Sequence, residues 1–159
     1  MQGKGSVDVT QPSPSELQFS RLFAAPPALV FDAWTRPELL RRWYGPSGWS
    51  LVVCELDLRV GGAWRFVSRQ PDGREIGQHG VFREVLPGQR LVQTENWEDW
   101  NPGEVLVTTT FEPSSAGTRV TTSMRFPSRE VRDLLVKSGM GDGYGQAADK
   151  LDQLLTELA

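Results

Sequence analysis

The stretch Tyr144-Gly145-Gln146-Ala147-Ala148-Asp149-Lys150-Leu151-Asp152-Gln153-Leu154-Leu155-Thr156-Glu157-Leu158 decides the fold. Tyr144, Ala147, Ala148, Leu151, Leu154, Leu155 and Leu158 recur at spacings of three and four, which gathers them on one side of an α-helix. Asp149, Lys150, Asp152, Gln153 and Glu157 fall on the other side. A helix with so continuous an apolar stripe needs a large apolar partner, and a sheet that curves around it is the natural one.

The preceding sequence supplies that sheet. From Gly48 onward the apolar period is two. Residues 49–58 read as a strand with Val52, Cys54, Leu56 and Leu58 on one face and Glu55 and Asp57 on the other. Arg59-Val60-Gly61-Gly62 makes a tight connection, after which Trp64 and Phe66 share one side of the next strand. Pro71-Asp72-Gly73, Leu86-Pro87-Gly88-Gln89, Asn101-Pro102-Gly103 and Ser114-Ser115-Ala116-Gly117 are turn sequences. The strands around and between them are predicted near 76–85, 90–97, 104–111 and 118–126, a meander.

Upstream, Leu17, Phe19 and Arg21 alternate with Gln18, Ser20 and Leu22 in a first strand over 16–23. Prolines then punctuate two short helices. One runs over 27–34; the other opens at Thr35-Arg36-Pro37-Glu38, with Thr35 as cap, and stops at Gly45-Pro46. Near the C-terminus Ser128 caps a helical turn containing Val131, Leu134 and Leu135. The expected architecture is α+β: a curved antiparallel sheet of about seven strands around a long C-terminal helix, forming a single domain over 16–159. Residues 1–15, rich in Gly, Ser, Gln and Pro, are expected to be a flexible leader.

Seventeen basic and twenty acidic residues are interspersed, for a net charge of −3, which is not the footprint of a nucleic-acid binder. One cysteine, Cys54, excludes an intramolecular disulfide. The N-terminal sequence carries no signal-peptide run and no window has the length of a membrane span, so a cytoplasmic protein without membrane insertion is expected. One His and one Cys do not make a ligand-spaced cluster, so neither a metal nor another cofactor is expected.

Three stretches carry a resemblance. They are Phe31-Asp32-Ala33-Trp34-Thr35 followed by Pro37-Glu38-Leu39-Leu40-Arg41-Arg42-Trp43 and Gly45-Pro46; Cys54-Glu55-Leu56-Asp57-Leu58-Arg59 with Gly61-Gly62-Ala63-Trp64-Arg65-Phe66; and Gly139-Met140 with Gly143-Tyr144-Gly145. With the order strand, two helices, six strands, long helix, the chain resembles the START-like helix-grip (SRPBCC) superfamily. More narrowly it resembles the activator of heat shock protein 90 ATPase homologue-like branch. The resemblance implies a helix-grip fold and, for the superfamily, carriers of lipids and hormones, aromatases, cyclases and chaperone-binding proteins. Many relatives have paired tryptophans before Gly-Pro and Gly-Trp at the start of the last helix; here Trp43-Tyr44 and Gly143-Tyr144 stand instead. Each tyrosine brings a hydroxyl that seeks a hydrogen-bond partner when buried.

Six tryptophans in 159 residues supply both core and cavity walls. Trp43, Tyr44, Trp64, Phe66, Glu95, Trp97 and Tyr144 are the candidate ligand-binding residues. Glu95 shares a face with Leu91, Gln93 and Trp97, so it points inward if they do. A buried carboxyl must be paired or protonated, and Arg65 and Arg125 are its candidate partners. Glu95 and His79 are the candidate acid–base groups. Cys54 reads as a buried small hydrophobe, and Glu55 and Asp57 as a solvated charged stripe with Arg59. The leading expectation is a small-molecule binding protein with a largely apolar cavity between sheet and terminal helix, taking a hydrophobic or aromatic ligand. The alternatives are a cyclase, dehydratase or isomerase in the same cavity, or a protein-interaction module, chaperone-linked or self-associating through the loop around Trp97 and Trp100.

Overall fold

The computed structural model describes residues 7–158. Strands β1 (Asp8–Thr10) and β2 (Glu16–Phe23) are followed by helices α1 (Pro27–Thr35) and α2 (Pro37–Trp43). Next come β3 (Ser50–Leu56), β4 (Ala63–Arg69), β5 (Glu75–Leu86), β6 (Arg90–Trp97), β7 (Val105–Ser114) and β8 (Gly117–Arg125). Helices α3 (Arg129–Lys137) and α4 (Met140–Leu158) end the chain. All pairings are antiparallel, in the order β1-β2-β8-β7-β6-β5-β4-β3. The meander β3 to β8 thus closes on β2, and α1 and α2 carry the chain from β2 to the far edge of the sheet.

The expected α+β helix-grip arrangement is present, with one strand more than the expected seven. The extra strand lies inside the stretch expected as a leader. Val9 pairs with Phe19, where the outer edge of β2 offers unpaired backbone groups to a short β-branched segment. Arg132 of α3 fastens the residues that follow, donating to the Gln11 side chain and the Ser13 carbonyl at 3.1 and 3.3 Å. Structure therefore begins before Glu16; the expectation for residues 1–6 lies outside the described residues.

Local chemistry explains the helix ends. Prolines at the first turns of α1 and α2 supply a preset φ where no amide donor is needed. Thr35 does not cap α2 as expected; it belongs to α1, its hydroxyl donating to the Phe31 carbonyl, and Arg36 holds the extended cap position. Ser128 does cap α3, accepting from the Val131 amide at 3.2 Å. Strand β3 also differs in detail. A bulge between Leu51 and Val53 buries Leu51 and Cys54 together, whereas simple alternation puts Val52 with Cys54.

The concave face of the sheet holds α4. Ala147, Ala148, Leu151, Leu154 and Leu155 are buried against Phe23, Phe82, Leu91, Phe111 and Val120, while Leu158 at the end of the stripe is exposed. Each fully buried Leu or Phe contributes roughly 1.5–3 kcal/mol. A second cluster gathers Leu17, Phe19, Val105, Val107, Met124, Phe126 and Leu135 around α3. On β2 the inward parity continues to Arg21, whose guanidinium is buried and ion-paired with Asp149 of α4 at 2.8 Å. No described helix is long and apolar enough to cross a membrane.

Candidate functional site

Between the two core clusters lies a cavity of about 400 Å3, walled by side chains from both. This is within the range of roughly 300–1,000 Å3 typical of small-molecule sites. All seven residues expected to line a pocket border it: Trp43 and Tyr44 from the end of α2, Trp64 and Phe66 from β4, Glu95 and Trp97 from β6, and Tyr144 from α4. Exposed Ser138 and Gly139, between α3 and α4, lie on its rim.

The walls are shaped by aromatic contacts. Trp43 meets Trp34 at a centroid distance of 4.7 Å, Tyr44 meets Phe66 at 5.1 Å, and Phe66 meets Trp64 at 4.9 Å. The indole nitrogens are satisfied by backbone: Trp43 donates to the Ala33 carbonyl and Trp64 to the Thr94 carbonyl. The second bond depends on Gly80, since a Cβ there would sit 1.9 Å from the Thr94 carbonyl oxygen and 2.8 Å from the Trp64 nitrogen. Tyr144 stacks on Phe19 with rings 4.4 Å apart.

One polar cluster interrupts this surface. Glu95 is 8% exposed. Gln78 of β5 donates from Nε2 to its Oε2 at 3.1 Å, and the Tyr44 hydroxyl donates to the Gln78 Oε1 at 3.4 Å. Burial pushes the Glu95 carboxyl up to about 7, with the Gln78 hydrogen bond pulling weakly the other way. Burial and then the Glu95 charge raise the Tyr44 phenol well above its ordinary value. On the opposite wall Tyr144 shares a 3.0 Å hydrogen bond with Thr122, and burial raises its phenol to about 12 against that bond.

Neither arginine expected beside Glu95 reaches it. Arg65 and Arg125 follow the outward parity of β4 and β8 and pair with Glu98 and Glu16. His79 is also on the outer face, half exposed, with its Nδ1 3.0 Å from Glu98. The two acid–base candidates are thus on opposite sides of the sheet. Trp100 is 43% exposed and leans on Trp97 with centroids 5.8 Å apart. Cys54 is buried, as expected, which pushes its thiol up to about 11.

Sequence reasoning missed Gln78 as a site residue, together with Gln93, Thr109 and Thr122 on the wall. Gln78 sits two and four residues from Gly80 and Phe82 on an inward face, and Thr109 and Thr122 each alternate with buried apolar residues. A polar side chain at inward parity is the signal that finds them. Trp34 and Trp49 also reach the cavity, so five of the six tryptophans line it.

The family model described as Activator of Hsp90 ATPase homolog 1-like protein matches residues 24–156, which take in β3 to β8, α1 to α3, most of α4 and all of the cavity wall except Phe19. The chain belongs to that family. The chain is similar to a solved structure from Rhodobacter sphaeroides at 31% identity and a TM-score of 0.90, covering 97% of this chain and 100% of that one. A Nitrosomonas europaea protein is also 31% identical, with a TM-score of 0.84 and coverage of 92% and 97%. A Mycobacterium smegmatis protein follows at 25% identity, TM-score 0.84, with coverage of 94% and 97%. No curated protein matches. Both tyrosines of this Activator of Hsp90 ATPase homolog 1-like chain, Tyr44 and Tyr144, place their hydroxyls in hydrogen bonds at the cavity wall.

Proposed function

We propose that the protein binds a small, largely apolar molecule in the cavity between the curved sheet and α4. The observation that carries this reading is the cavity itself: about 400 Å3 with an apolar, aromatic wall interrupted by the Tyr44–Gln78–Glu95 cluster. Shape and apolar area would supply affinity, and that cluster would orient the ligand. A protein-interaction module would need no open interior, so the cavity favours the ligand reading.

The buried carboxyl gives a second reading some weight. A group that exchanges its proton near neutral pH can act as general acid and then as base, which is what a cyclase, dehydratase or isomerase requires. Glu95 would have to perform both steps, since the remaining titratable groups on the wall, Tyr44 and Tyr144, hold their protons far above neutrality.

Titration with the uncharged fluorophore N-phenyl-1-naphthylamine tests the binding reading. Five wall tryptophans make bound probe an efficient acceptor of their emission. Saturable uptake of one probe per chain, with quenched tryptophan fluorescence, is expected. Ala147→Leu, which projects an isobutyl group into the cavity from α4, is expected to weaken uptake by about tenfold, equivalent to 1.4 kcal/mol. Absence of uptake, or unsaturable uptake indifferent to Ala147→Leu, would count against a cavity ligand.

A further inference from the structure

The cavity wall carries one carboxyl and, among the described residues, no Arg, Lys or His. A neutral ligand does not need that carboxyl: Gln78, Gln93, Thr109 and Thr122 already offer donors and acceptors, without a group whose ionised form is costly to bury. An anionic ligand would meet no opposite charge and one like charge. A cation, by contrast, gains from two features at once. It makes a charge-assisted bond to the carboxylate in a low-dielectric site. It also faces the Tyr44, Phe66 and Trp64 rings, which form a continuous run and are joined to Glu95 through Gln78.

We propose that the cavity is selective for a basic nitrogen, its ligand class being an aromatic or apolar amine whose ammonium group pairs with Glu95 while its apolar body fills the aromatic end. This rests on the ligand-binding reading above and adds the class of ligand. The protons balance as follows. In the empty cavity burial keeps the carboxyl protonated up to about pH 7. A protonated amine that docks converts it to a carboxylate, and the displaced proton leaves to solvent, so binding below pH 7 releases a proton. An uncharged analogue releases none.

Neighbouring groups do not blur this reading. The Tyr44 phenol at the end of α2, the Cys54 thiol on β3 and the Tyr144 phenol on α4 are all raised by burial and stay protonated through neutrality. Arg21 of β2, beside Tyr144, is paired with Asp149 and Asp152 rather than with Glu95. The Arg65, His79 and Glu98 side chains are on the outer face.

Calorimetry with 2-naphthylmethylamine, 2-naphthylmethanol and 2-naphthoate separates the possibilities. At pH 7.5 the amine is expected to bind at least about tenfold more tightly than the alcohol, with the carboxylate weakest. At pH 6, in two buffers of different ionisation enthalpy, the amine is expected to release about one proton per molecule bound and the alcohol none. Glu95→Gln is expected to erase the preference for the amine over the alcohol and to abolish proton release on amine binding. The wild-type proton count stands even where that variant folds poorly. Equal binding of amine and alcohol, tightest binding of naphthoate, or amine binding without proton release would overturn amine selectivity and leave the cavity as a ligand site. Failure of all three, together with failure of N-phenyl-1-naphthylamine, would instead remove the ligand-binding reading on which this proposal stands.

Discussion

Replacing Asp149 and Asp152 together by alanine is expected to lower stability by about 3 kcal/mol, read as a reduced urea midpoint at unchanged slope. The Arg21 side chain is 1% exposed, and its guanidinium lies 2.8 Å from Asp149 and 3.9 Å from Asp152. Arginine cannot shed its charge by deprotonation. Deleting both acids therefore strips two carboxylates from around a buried cation, a type of loss usually worth about 3–5 kcal/mol. The 65% exposure of the Asp149 side chain keeps the figure at the low end. Helix propensity works the other way, because alanine is the better helix former, so destabilisation cannot come from that source. Arg21→Met, which removes the buried charge itself, is expected to cost less than the double replacement. The reverse order, or a double variant as stable as the wild type, would show that this pair does not clamp α4 onto β2.

Replacing Glu95 by glutamine is expected to leave stability nearly unchanged at pH 4.5 and to raise it by about 3 kcal/mol at pH 8. The sign follows from proton binding. Unfolding restores the carboxyl to its ordinary value of 4.5, whereas burial holds it at about 7 in the fold. Below pH 4.5 both states carry the proton. Between 4.5 and 7 the unfolded state loses it while the folded state keeps it, so stability falls as pH rises. Above 7 the loss is complete, and at 1.36 kcal/mol per pH unit it reaches about 3 kcal/mol. Glutamine keeps an acceptor for the Gln78 amide and carries no such cost. Taking the difference between variant and wild type cancels the other carboxylates. Parallel stability curves from pH 4.5 to 8 would mean that Glu95 is solvated and that the cavity is wetter than its apolar wall implies.

What the sequence disclosed and what it withheld divide along physical lines. The α4 stripe, the proline-punctuated helices and the turn-spaced strands are local patterns, and each recovers its element to within a few residues. Alternation tied the side of Glu95 to that of Leu91 and Trp97, and all three border the cavity. Pairing is not local. The Asp8–Thr10 strand exists because it finds the free edge of β2, which its own residues do not announce. Bulges at Leu51/Val53 and Phe82/Glu84 shift the parity that alternation assumes. The partner of Glu95 depends on the β5–β6 register, which pairs Gln78 with Trp97 and so brings it beside Glu95; Arg65 stays outside with Glu98. Arg21 at inward parity was visible, but its acids lie 128 and 131 positions away on α4. Whether an enclosed volume is filled or empty depends on sheet curvature and on how two core clusters meet, which no single segment encodes.

The most direct test is the mass of small molecules that remain with the natively purified protein and appear only on denaturation. The cavity predicts an organic molecule in stoichiometric amount, and the single carboxyl on its wall predicts one that carries a basic nitrogen. A stoichiometric acid, such as a free fatty acid, would contradict the electrostatics of the wall. A protein that releases nothing and also takes up no naphthyl probe would contradict the cavity's role as a ligand site.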